Sequence, residues 1–176
     1  MKDSRLPTSL YFVMLILGVL QWIRVYPQLP ELMASHFTGN GIPNGWEPKP
    51  VFFALSAIAV ATSAFIAFVP RVLIASRSND RINLPNKSYW LAPERREETM
   101  KFLGAQMVWF GCGVLFVLLY AASEAIHANL QKVRRFDMLS MWYVAGGFLV
   151  AVVGWTIYIM WHFSNVPKSE FGAPSR

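Results

Sequence analysis

Four long stretches without a charged side chain constrain this sequence more than anything else in it. They are Leu10 to Ile23 (reaching about Tyr26 if Arg24 snorkels), Val51 to Val69, Phe102 to Ser123 and Met138 to Trp161. A bilayer span needs about 20 mainly apolar residues. The expectation is an all-α membrane protein of four transmembrane helices, an up-down-up-down bundle forming a single integral membrane domain over 1–176. Its spans are placed at about 10–26, 51–70, 102–123 and 138–161, with a structured outer loop at 27–50 and a cytoplasmic loop at 71–101. Of the 176 residues, 55% are hydrophobic, more apolar surface than one soluble core of this size hides. The first run is followed by Gln-Trp-Ile-Arg-Val-Tyr-Pro, not a small-residue cleavage site, which predicts an uncleaved signal anchor.

Charge sets the expected orientation. The formal net charge is +6, but the basic residues flank apolar runs and do not line one polar face, so a lipid bilayer is the expected partner and nucleic acid is not. On one side fall Lys2, Arg5, Arg71, Arg77, Arg81, Lys87, Arg95, Arg96, Lys101, Lys168 and Arg176, eleven in all. The other side has five: Arg24, Lys49, Lys132, Arg134 and Arg135. By the positive-inside rule both termini are cytoplasmic, with the basic cluster 132–135 running against the trend. The only cysteine, Cys112, lies in an apolar run and has no internal disulfide partner.

Small residues on the third and fourth runs suit close helix approach: Gly104, Gly111 and Gly113, then Gly147, Ala151 and Gly154. Packing within the bundle or self-association through the same faces both use them. Gln21 and Gln106 are expected to bond between helices. In PERREETMKFL, Pro93 suits a helix first turn, Glu94, Glu97 and Glu98 suit its positive end, and Glu97 stands four before Lys101. The third span therefore begins as a wetted helix about two turns before the bilayer. His162 reads as an interfacial residue at the end of the fourth.

Between the first two spans runs SHFTGNGIPNGWEPKP, Ser35 to Pro50. Gly-Asn-Gly and Pro-Asn-Gly are turn signals, and Pro48 and Pro50 force an extended approach to the second span. Two readings stand for this loop. In one it is a compact element stiffening the connection. In the other it binds a ligand through His36, Phe37, Asn40, Pro43, Asn44 and Trp46.

The string LPELMASHFTGNGIPNGWEPK resembles the short membrane domain of unknown function found in Sdp-type toxin-immunity proteins and uncharacterised four-span relatives. The resemblance rests on Leu29, Pro30, His36, Phe37, Gly41, Pro43, Asn44, Gly45 and Trp46, and covers Leu10 to about Ile74. INLPNKSYWLAPERREET is similar to a string carried by four-span relatives. The resemblance implies a bacterial cytoplasmic membrane and an outer loop facing a peptide ligand. An accessory role beside other membrane subunits is the alternative.

No catalytic motif occurs, no intramembrane Asp, Glu, Lys or Arg marks a transport path, and no enzyme activity or cofactor is expected. Glu124 and His127, three apart on one helix face, form half of a carboxylate-histidine metal site, to which His36 would have to add a third ligand. A surface role at the bundle's mouth is the simpler expectation for the pair, and no metal is assigned.

Overall fold

The computed structural model describes residues 4–167. Lys2, Lys168 and Arg176, which enter the charge count above, lie outside the described residues. The four apolar runs are helices long and apolar enough to cross a membrane: α1 (Arg5–Val25), α2 (Lys49–Ser76), α4 (Pro93–Leu130) and α5 (Met138–Ser164). The chain thus has the make-up of a multi-pass membrane protein.

The helices outrun the expected spans. At 1.5 Å per residue, the 38 residues of α4 extend about 57 Å, well past a hydrocarbon core of about 30 Å. Pro93 opens α4 at its first position, and Glu97 pairs with Lys101 at 2.6 Å one turn later, both exposed. α2 runs through Pro70 to Ser76 instead of stopping there. Proline costs a helix one backbone bond, a loss that membrane helices tolerate where neighbouring helices brace the chain. Here the stem of Arg71 lies against Gly104 of α4.

α4 is the axis of the molecule. Antiparallel α2 packs along it: a Cβ on Gly111 would sit 2.3 Å from that of Ala67, so the two backbones meet where only glycine fits. Parallel α1 lies beside both, with Gly18 against Leu119 and Gln21 Nε2 donating to Ser123 Oγ at 2.8 Å. Tyr11, Ala67, Val108, Cys112 and Leu115 form the core among these three helices, where Tyr11 shares a 2.7 Å hydrogen bond with Ser63. Both expected glutamine bonds are present, since Trp155 Nε1 of α5 donates to Gln106 Oε1 at 2.9 Å. The Gln106 amide nitrogen, buried, has no hydrogen-bond partner among the described residues.

α5 touches the bundle on one side only. Gly113 faces Phe148, as the packing expectation requires, but Gly146, Gly147 and Gly154 meet nothing within 4 Å. The Gly147 face is therefore not used inside the bundle. α5 docks instead through rings that already fill its contact side, Phe148 and Trp155 against Phe110 and His162 against Phe102.

The all-α expectation needs one correction. Residues 27–50 contain a two-stranded antiparallel hairpin, β1 (Leu32–Phe37) and β2 (Pro43–Pro48), after a short 3₁₀ turn at Tyr26–Gln28. An isolated hairpin is marginal in water; this one is held by helices, as described below.

The segment 77–92 is also folded. A 3₁₀ turn (Asn79–Arg81) and the one-turn helix α3 (Lys87–Trp90) are cross-tied by Arg96 Nε donating to Asn79 Oδ1 at 2.9 Å and Asn79 Nδ2 donating to Leu91 O at 2.9 Å. Asn86, in the left-handed region at φ 49°, turns its amide onto Phe163 O (3.0 Å) and Ser164 O (2.9 Å). Trp90 Nε1 adds a third donor to Phe163 O at 2.9 Å. The final carbonyls of a helix lack intrahelical partners, and those of α5 are capped by the segment between α2 and α4.

Candidate functional site

The hairpin owes its position to buried polar contacts. Met33 and Ala34 are wholly buried, and Met33 joins Leu29, Phe52, Ala125 and Ile126 in a second core. The edge of β1 is paired by a side chain. Asn129, near the end of α4, accepts from Ala34 N (2.7 Å) and donates to Ala34 O (2.9 Å) and Ala125 O (2.8 Å). Its amide thus does for Ala34 what a third strand would do, and leaves no buried backbone group unpaired there.

The base of the hairpin is fixed by Lys49, the first residue of α2. A cation at a helix N-terminus is opposed by the helix dipole, so its burial needs strong partners. Lys49 Nζ donates to Leu29 O (3.2 Å) and Glu31 Oε1 (2.8 Å), and lies 4.8 Å from the Tyr26 ring centre.

The tip is fixed by Gly41. Its φ of +76° is open to glycine and costly for other residues. Its carbonyl accepts from Phe136 N at 3.0 Å, and a Cβ there would fall 2.2 Å from Phe136 O. Gly45 stands opposite His36 in the register, and a Cβ on it would lie 2.7 Å from the histidine Cβ. The glycines of the turn therefore answer two separate needs, contact with the α4–α5 connection and room for His36.

These constraints sort the six sequence-predicted residues. Phe37 packs its ring on Phe136, with centres 5.0 Å apart, and Pro43 pairs with Phe37 in the register; both build the hairpin. Asn40 is exposed at the turn, apart from the rest. His36 and Asn44 lie side by side on the exposed face, with Nδ1 and Oδ1 2.5 Å apart. Trp46, 43% exposed, lies under the guanidinium of Arg134 at 4.9 Å. The arrangement offers an imidazole, a side-chain amide and an aromatic surface beside a cation. It contains no nucleophile-base pair.

Sequence reasoning did not reach Asn129, Arg134 or Phe136, which come from the end of α4 and the connection beyond it. One signal pointed there: the basic cluster at 132–135 ran against the charge trend. Among the described residues no group of three histidine, cysteine or carboxylate side chains is placed to hold a metal, so Glu124, His127 and His36 do not converge.

A family model described as a domain of unknown function (DUF1648) covers residues 13–60, from within α1 through the hairpin into α2. No curated protein and no solved structure matches the chain. Over those residues the chain is similar to a domain whose function is unassigned.

Proposed function

We propose that the protein is a non-catalytic, multi-pass protein of a bacterial cytoplasmic membrane whose hairpin, on the outer face, recognises a peptide ligand, as the resemblance to Sdp-type immunity proteins implies. One observation carries this reading. The hairpin backbone is fixed from three sides by Asn129, Lys49 and Phe136, while His36, Asn44 and Trp46 remain on its exposed face. Rigid presentation lowers the ordering cost of binding, and Trp and Arg are the side chains that most often dominate interface energy. The eleven-to-five distribution of basic residues supports the sidedness.

The test is a deletion strain challenged with secreted peptide fractions from competing bacteria. Wild-type protein is expected to restore resistance to at least one fraction. The combined His36→Ala, Asn44→Ala, Trp46→Ala variant, at matched membrane abundance, is expected to restore little. Full protection by that variant removes the hairpin face from the function.

A second reading, an accessory subunit of a larger membrane complex, is favoured by the open glycine face of α5. It requires a stable higher-mass species after mild extraction, which Gly147→Leu should dissolve while leaving the hairpin intact.

A further inference from the structure

Below the hairpin, α2 and α4 leave a lateral groove of about 330 Å³. Its walls are Leu55, Ser56 and Ala59 of α2 and Leu118, Ala121 and Ala122 of α4, with no charged side chain among them. Small residues create the space; larger ones at Ala59 or Ala122 would fill it. From Leu118 to Ala125 the groove follows α4 for about 10 Å at 1.5 Å per residue. Ser35 and Phe37 of β1, with Phe136, roof it at the hairpin end.

On the other side of Phe136 lies a recess of about 570 Å³, whose lining joins the apolar Met138, Leu139 and Trp142 with Gln131, Arg135 and Asp137. Phe136 lines both spaces, so one aromatic ring stands between an uncharged furrow and a mouth that carries charged side chains. The mouth carries an uncommitted cation. Arg135 is exposed and has no hydrogen bond or ion pair among the described residues. Asp137, the acid in the recess, is engaged in capping α5, accepting from Ser140 N at 3.0 Å. Trp142 is 66% exposed beside it, a residue suited to the headgroup level.

We propose that this pair of spaces binds one anionic phospholipid, an acyl chain lying in the α2–α4 groove and the phosphate meeting Arg135 beyond Phe136. Hydrocarbon satisfies walls of alanine, leucine and phenylalanine, whereas a peptide backbone there would leave its polar groups unpaired. The Arg135 guanidinium, with no ion pair among the described residues and with Asp137 turned to the cap of α5, favours a headgroup of net negative charge, whereas a choline would bring a second cation into the mouth. The site is separate from the exposed hairpin face and does not depend on that face binding anything.

Native mass spectrometry of the full-length protein tests this, using equal amounts of phosphatidylglycerol and phosphatidylcholine with identical chains. The monomer is expected to retain one phosphatidylglycerol with a preference of roughly fivefold or more, as one charge-assisted contact supplies. Arg135→Gln should abolish the preference while leaving chain retention, and Ala122→Phe should abolish retention of both lipids. If Ala122→Phe does not fold, Ser56→Leu fills the same groove from α2, replacing a hydroxyl that bonds only within its own helix. Four results overturn the proposal: equal retention of the two lipids, retention unchanged by groove filling, a lipid-free dimer whose formation groove filling blocks, or glycerol phosphate competing as well as the intact lipid.

Discussion

Asn129 shows how one side chain decides the form of a distant segment. It is buried at the end of α4 and bonds both backbone groups of Ala34. Asn129→Ala should therefore strand a buried N–H and a buried C=O at a cost of roughly 2–4 kcal/mol. Hydrogen exchange is expected to speed up across 32–48 while the central turns of α4 stay protected. Gly41 makes a sharper comparison with its neighbour. Gly41→Ala meets Phe136 O and an unfavourable φ, whereas Gly39→Ala enters open space. Thermal unfolding should fall clearly for the first and hardly move for the second. Neither role could be read from sequence. GNGIPNG announces a turn through residues tolerant of its dihedral angles, but the partners of Gly41 and Ala34 lie about 95 residues along the chain.

At the level of elements, legibility followed the strength of the solvent constraint. The four helices were visible because lipid forces long apolar runs to satisfy their own backbone. The hairpin was not, because LMASHF lacks clean alternation and PNGWEP carries proline at both ends, where a strand signal is weakest. Its strands persist through contacts with helices, not through propensity. The same holds for the segment 77–92. It is a folded clamp, and Asn86 and Trp90 are its working parts. The double variant Asn86→Ala, Trp90→Phe removes all three of their bonds to the last carbonyls of α5 while keeping most of the packing. Proteolysis near Ser164 is expected to quicken by roughly tenfold or more, as a loss of about 0.5 kcal/mol or more for each of the three bonds predicts, with α1 and α2 unaffected. Of the candidate site, the place and the glycine turn were legible; the division into framework and exposed residues was not. Phe37 and Pro43, read from sequence as candidate ligand contacts, also serve the framework, Phe37 through its ring contact with Phe136 and Pro43 through its place opposite Phe37.

For the molecule as a whole, the proposed sidedness puts the hairpin outside and the α3 clamp inside. Asn40→Cys should react with an impermeant maleimide added to intact cells, and Ser88→Cys should react only after lysis. Both positions are exposed, while the native Cys112 is 5% exposed and should stay silent. The reverse labelling pattern inverts the orientation and removes the hairpin from any extracellular ligand. α4 matters at this scale because it contacts α1, α2, α5 and the hairpin alike. Synthesis, however, runs from the other end. β1 leaves the ribosome 95 residues before the amide that pairs its edge, a lag of about 5–20 s at 5–20 residues per second. For that interval the nascent protein has α1 and α2 but nothing to close Ala34, so the hairpin is among the last parts to set, although it is among the first to be made.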